Sequence, residues 1–265
     1  MSNSSEVALN LKPGNIAIIG GTGFEKLPPE IFAEEIKVTT DYGEVTLLSI
    51  SDNYIEPFSL YFLSRHGPEH KVAPHDINYK ANCAALKILG VEYVVACNAV
   101  GSLRKEILPG SFVLLDDFID FTRSREITYF GSTDWHHTDF TIPYSRSVQS
   151  ALRHAVLSTR GDAVPVVTYL CCDGPRFETP AEIRLFANWG ADVVGMTGVP
   201  EVVFANECNM QYAALAVVTN LGAGLSADAI SHEDVSSLMA AQLNDLREIL
   251  LMAARKIRTE FVIAE

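Results

Sequence analysis

The sequence predicts a single α/β domain with a mixed, largely parallel central sheet flanked by helices. Three observations carry this expectation. Short apolar runs of strand length alternate with helical patterns along the whole chain, which is the signature of strand–helix units. No linker, repeat or low-complexity tract divides the sequence. Polar residues of distinct chemistry follow the apolar runs directly, where open α/β sheets place their ligands.

The first dozen residues are polar, and residues 1–13 read as a disordered tail ahead of one domain over 14–265. Ile16 to Ile19 is a buried strand feeding the turn Gly20-Gly21-Thr22-Gly23. Leu60 to Leu63 is a second strand, ending at Ser64-Arg65-His66-Gly67. Ile77, Ala81, Ala84, Ala85 and Ile88 give helical spacing across Pro74 to Leu89, with Gly90 as the stop. Val91 to Ala96 is a strand followed by Asn98-Ala99-Val100-Gly101, and Ser111 to Leu115 is another. Residues 121 to 145 are polar and aromatic, with Arg123, Arg125, Trp135, His136 and His137, and read as a long functional loop. A helix covers about 147 to 157. Thr179-Pro180-Ala181-Glu182 opens the next helix with an N-cap, Pro at N1 and a capping box, and the helix stops at Gly190. Val193 to Met196 is a strand, Pro200 starts a helix at N1, and Tyr212 to Thr219 is a long apolar strand. Ser231 opens a last amphipathic helix with Leu238, Leu243, Leu246, Ile249, Leu250 and Ile257 on its apolar side.

Composition narrows the partners. The 265 residues are 48% hydrophobic and 20% charged, enough for a sizeable core. The net charge of −13 argues against nucleic acid and anionic membranes, which demand basic patches. It leaves room for a small phosphate held by one Arg and a few N–H groups. The five cysteines are scattered without C-x-x-C, so they read as free thiols in a reducing compartment, with no metal site expected. No signal peptide or transmembrane run is read, and the expected location is cytoplasmic.

Each candidate site residue also has a plain structural reading. Gly20-Gly21-Thr22-Gly23 fails as a dinucleotide fingerprint, because the third glycine would fall on Lys26. It is an anion nest with the Thr22 hydroxyl, or a tight turn. Arg65-His66 offers a planar fork and a further donor for phosphate, or is a surface pair. Glu178, just before an N-cap, is a ligand or a first-turn acid favoured by the helix dipole. Asn220 is a ligand or a turn former before Gly222. His232 is a ligand or a solvated first-turn residue. Phe177 and Met196 suit a core as well as a ligand platform. By spacing alone the reading ends at an α/β enzyme with an anion site.

Taken together, these segments resemble the trimeric purine nucleoside phosphorylase and methylthioadenosine phosphorylase family. The resemblance runs from Ile16 to the last helix. It rests on Ile-Ile-Gly-Gly-Thr-Gly, Ser-Arg-His-Gly-Pro-Glu-His, Asn-Ala-Val-Gly-Ser-Leu, Gly-Pro-Arg-Phe-Glu-Thr and Gly-Met-Thr-Gly-Val-Pro-Glu, in that order. It implies a nucleoside phosphorylase-like fold and cleavage of a purine nucleoside by inorganic phosphate, a co-substrate, with no cofactor. It also implies that Thr22, Arg65, His66, Thr197 and the backbone of Ala99 hold phosphate. Met196 would then lie against the sugar and Phe177 against the base, with Asn98, Glu178, Val194, Gly195, Asn220 and His232 completing the substrate-binding set. Asn220, Glu178 and His66 would carry the chemistry.

Within the family, the residue types favour 6-oxopurines such as inosine and guanosine. The methylthioadenosine branch places Asp where this chain has Asn220, a small hydroxylic residue at Glu178 and Asn at Gly195. An amide NH2 donates to purine N7 or to a 6-oxo oxygen that a carboxylate would repel, and Glu178 accepts the N1–H that adenine lacks. At the 5′ end, His-Glu-Asp-Val at 232 to 235 resembles the stretch whose His binds a 5′-hydroxyl. Arg-His-Gly-Pro-Glu-His and Asn-Ala-Val-Gly instead resemble the methylthio branches. S-methyl-5′-thioinosine phosphorylase and S-methyl-5′-thioadenosine phosphorylase are therefore the alternatives, with a catalytically silent nucleoside-binding protein as the non-enzyme one. The family also implies a homotrimer in which a neighbour's segment, around Phe140 to Pro143, closes the 5′ end.

Overall fold

The structure is a computed structural model, and it describes residues 14–27, 31–53, 55–56, 58–67, 69–226 and 230–261. The expected tail over 1–13 lies outside the described residues. Among the described residues, nine strands form one sheet: β1 (Asn15–Gly20), β2 (Ala33–Thr40), β3 (Gly43–Ile50), β4 (Leu60–Ser64), β5 (Val91–Ser102), β6 (Phe112–Asp120), β7 (Val166–Cys171), β8 (Val193–Gly195) and β9 (Gln211–Leu221). The described residues also form five helices: α1 (Tyr79–Ile88), α2 (Arg146–Arg160), α3 (Pro180–Asn188), α4 (Glu201–Glu207) and α5 (His232–Phe261).

The strand order is β2-β3-β4-β1-β5-β8-β7-β6-β9, and β9 returns to pair with β5, so half of the sheet closes on itself. The pairings β1–β4, β1–β5, β5–β9, β6–β7 and β7–β8 are parallel; the other four are antiparallel. This is the mixed sheet that the alternating pattern predicts. The closure is not visible in that pattern, because it depends on the long register of β5 on β9.

Both faces of the sheet are covered, which is why the central strands are apolar throughout. Along β1, Ala17 and Ile19 pack with α1 and α4 residues such as Ala85 and Phe204. Ile16 and Ile18 point the other way, toward Leu152 of α2 and Leu250 of α5. Side chains alternate across a strand, so consecutive apolar residues feed two cores. A third cluster packs Ile183 and Phe186 of α3 on Leu170 and Val194. On α5, Leu246, Ile249, Leu250, Ala253, Ala254 and Ile257 are fully buried, one continuous helical stripe.

Several boundaries moved. The helix expected from Pro74 begins only at Tyr79, because Asn78 is its N-cap, accepting from Ala81 N at 3.0 Å. Pro200 sits at the N-cap of α4 rather than at N1. The hairpin β2–β3 and the strand β7 are additions to the sequence reading. The capping box on α3 is present as expected: Glu182 N donates to Thr179 Oγ1 at 3.2 Å, and Thr179 N donates to Glu182 Oε2 at 2.8 Å. Residues 121 to 145 contain neither helix nor strand.

Candidate active site

The strands β1, β4, β5 and β9 run parallel, so their C-terminal ends converge. Their ends, with the β7–α3 connection, the segment after β8 and the start of α5, enclose a cavity of about 330 Å³. Thr22, Arg65, His66, Ala99, Phe177, Glu178, Val194, Gly195, Met196, Thr197, Asn220 and His232 all line it. Asn98 does not. It lies one step behind, buried, with Nδ2 donating to Thr197 Oγ1 at 3.1 Å.

Arg65 is fully engaged with the protein on one edge. Its Nε and Nη2 donate to Glu201 Oε2 and Oε1 at 2.6 and 2.7 Å, and Nη1 donates to the Cys97 carbonyl at 3.0 Å. Tyr212 Oη donates to the same Glu201 carboxylate at 2.8 Å. The guanidinium side chain has no exposure, so Glu201 is the counter-charge that permits a buried cation beneath the cavity. Gly21 is required by this packing: a Cβ there would lie 2.6 Å from Arg65 Nη1. The glycine-rich turn is thus a close approach to Arg65. His66 donates from Nδ1 to the Val72 carbonyl at 2.8 Å, the only sense a carbonyl allows. Burial pushes its imidazolium down to about 4 against the pull of Val72, and neighbouring Arg65 lowers it further. Thr197 is held through its backbone: its N–H and that of Gly198 donate to Tyr169 Oη at 3.2 and 3.1 Å.

Asn220 is oriented by its neighbours. Its Nδ2 donates to the Leu221 carbonyl at 3.0 Å, and its Oδ1 accepts from Thr219 Oγ1 at 2.9 Å. Because a carbonyl only accepts, the amide atom beside Leu221 is nitrogen. Glu178 Oε1 is buried without a partner among the described residues. Burial raises its carboxyl above the ordinary range, and Glu182 adds to the rise. At Gly195 a Cβ would press on the Tyr169 ring and hydroxyl at 3.0 Å. The direction an added side chain at Gly195 would take is therefore occupied by the Tyr169 that holds Thr197.

The sequence pattern of the phosphorylase superfamily matches residues 15–255. The chain belongs to the phosphorylase superfamily. It is 45% identical over 249 residues to a probable 6-oxopurine nucleoside phosphorylase of Dictyoglomus turgidum, covering 92% of each. It is 44% identical to the 6-oxopurine nucleoside phosphorylase of Pyrococcus furiosus, over 92% of this chain and 94% of that one. A probable S-methyl-5′-thioinosine phosphorylase of Methanothermobacter thermautotrophicus is 42% identical, over 92% and 85%. Among solved structures, methylthioadenosine phosphorylase from Schistosoma mansoni in complex with adenine superimposes with a TM-score of 0.86 at 30% identity, over 95% and 94% of the two chains.

In this superfamily member several residues act that the sequence reading left without a role. Glu201 stood in the quoted Gly-Val-Pro-Glu run, yet nothing local pairs it with Arg65. Arg125 stood among the polar residues of the 121–145 segment. Its guanidinium donates to the carbonyls of Cys172, Asp173, Met196 and Val199, with only 4% of its side chain exposed. It ties the segment carrying Phe177 and Glu178 to the segment carrying Met196 and Thr197. Tyr169, Tyr212 and Thr219 act through hydrogen bonds that no spacing reveals.

Around His232 three imidazoles form a row: the ring centroids of His66 and His70 are 4.5 Å apart, and those of His70 and His232 are 5.9 Å apart. A second cavity of about 540 Å³ shares Thr22, His70 and His232 with the first. Pro74 and Val235 add apolar surface to the first cavity. Phe140, Thr141, Ile142 and Pro143 do not line the first cavity; Phe140 packs edge-on against Phe118. Among the described residues no cluster of three or more His, Cys, Asp or Glu is arranged to hold a metal ion. No described helix is long and apolar enough to cross a membrane.

Proposed function

We propose that this chain is a 6-oxopurine nucleoside phosphorylase, cleaving inosine and guanosine with inorganic phosphate to free base and ribose 1-phosphate. One observation carries the choice of base. A single cavity presents a carboxylate oxygen with no partner among the described residues, Glu178 Oε1, and an amide nitrogen of fixed orientation, Asn220 Nδ2. That pair matches the N1–H donor and the N7 or 6-oxo acceptor of a 6-oxopurine. The names of the relatives at 44–45% identity support the same reading.

In this reading Arg65, His66, Thr197, Thr22 and the Ala99 backbone hold phosphate. Val194 and Met196 lie against the ribose, with Asn98 acting through Thr197, and Phe177 lies against the base. A phosphate oxygen bonds to C1′ as the C1′–N9 bond breaks, and the electron pair leaves on the purine. Asn220 stabilises that charge by donating to N7, and Glu178 anchors N1–H. The protein contributes orientation and charge stabilisation. The reaction so written needs no cofactor.

A second reading, S-methyl-5′-thioinosine phosphorylase, is favoured by the apolar Pro74 and Val235 beside His232, and by the relative so named at 42% identity. A rate panel of inosine, guanosine, S-methyl-5′-thioinosine, adenosine and S-methyl-5′-thioadenosine separates them. Faster use of the adenine substrates would overturn the base assignment. Faster use of methylthioinosine than inosine would give the second reading precedence. Absence of phosphate-dependent turnover would leave a nucleoside-binding protein. We further place residues 14–265 as one phosphorylase domain in a homotrimer, with a neighbour's Phe140 to Pro143 segment closing the site near His232. The free thiols, four of them buried, support a reducing cytoplasmic location.

A further inference from the structure

Of the cavity side chains placed around phosphate, Arg65, Thr22 and Thr197 can donate, and His66 is the exception. Arg65 spends three of its five N–H donors on Glu201 and Cys97, leaving two. Thr197 Oγ1 accepts from Asn98, so its proton is free to be donated. The exception is His66. Its Nδ1 bears the ring proton because the partner at 2.8 Å is the Val72 carbonyl. In a neutral imidazole the other nitrogen is then a lone-pair acceptor. His66 lines the cavity, and no described residue donates to its Nε2. Burial and the adjacent Arg65 keep the ring neutral near physiological pH.

An acceptor among donors discriminates between anions of equal shape. Monohydrogen phosphate and arsenate are tetrahedral dianions that carry an O–H. Sulfate and fluorophosphate are tetrahedral dianions that carry none. Against Nε2 the latter set lone pair against lone pair, and a buried acceptor left unmatched weakens binding by about tenfold or more.

We infer that His66 Nε2 is a specificity-determining acceptor that selects oxyanions bearing their own proton, phosphate or arsenate, over sulfate and fluorophosphate. This rests on the proposed placement of phosphate beside Arg65. The test is calorimetric titration of the whole chain with phosphate, sulfate and fluorophosphate at mildly alkaline pH, without nucleoside. Phosphate is expected to bind about tenfold or more tightly than either proton-free dianion. Sulfate or fluorophosphate binding within twofold of phosphate, or none of the three binding, overturns the inference. Nitrogen-15 spectra of His66 give a second measurement: Nε2 is expected in the unprotonated region in the free protein, and a protonated signal there overturns it. Because no nucleoside is present, a chain that prefers phosphate but cleaves no 6-oxopurine nucleoside would refute the function while leaving this inference standing. A chain that cleaves inosine without anion preference would do the reverse.

Discussion

Asn220 has one amide atom against the Leu221 carbonyl and the other against the Thr219 hydroxyl, so the side chain is presented to the cavity in one orientation. Asn220→Asp keeps the shape and replaces a donor with a repelling oxygen. Its kcat/KM for inosine is expected to fall by ~10² or more, the scale of one lost transition-state donor; steady-state rates check this, and near-normal turnover would remove Asn220 from the mechanism. Glu178 gives a pH test. It must be ionised to accept N1–H, and burial raises its pKa. It therefore protonates at a higher pH than an ordinary Glu near 4.3. KM for inosine is expected to rise as pH falls through that raised value, and Glu178→Gln, which has no charge to lose, should flatten this limb of the profile while raising KM throughout. The chemistry of both residues, carboxylate and amide, was legible because it is a property of the residue itself, and the structure adds that both line one cavity. What each one faces is not legible in that way, and the contact that an added Cβ at Gly195 would make with Tyr169 is of the same kind.

Helix caps were the most legible elements, because a cap joins residues three apart. Thr179 and Glu182 lie within that range, and their box forms as read. The start of α1 was misplaced because the apolar spacing extends through Ile77, whereas Asn78 supplies the cap. Longer connections were not readable. Arg125 reaches Met196 across 71 positions and Cys172 across 47. Arg125→Met is expected to reduce kcat/KM for inosine by ~10-fold or more, since displacing a positioned wall by about 1 Å costs on the order of 10²-fold. Lysine, a point charge without the planar fork, should restore little of it. Equal activity in the Met variant, with the fold intact by circular dichroism, would show that the two segments hold their places without the clamp.

At the scale of the whole molecule, the site cavity shares Thr22, His70 and His232 with a second cavity among the described residues. Ile127, Trp135 and Ile142 in the 121–145 segment are 77%, 60% and 54% exposed, an apolar surface that a neighbouring copy would cover. Sedimentation equilibrium is expected to give about 87 kDa, three chains of 29.0 kDa. A 29.0 kDa species at working concentration would count against the neighbour-closed site. By itself the sequence determined the α/β class, most strands and helices, and the chemical kinds of the cavity-lining residues, since periodicity, caps and side-chain type are local properties. Only the tertiary structure decided that Glu201, 136 positions away, neutralises Arg65. It also decided that Asn98 stands behind Thr197, and that β9 closes the sheet onto β5. Those facts depend on strand register and on which buried charges and donors the fold leaves facing one another, and no short-range pattern encodes that.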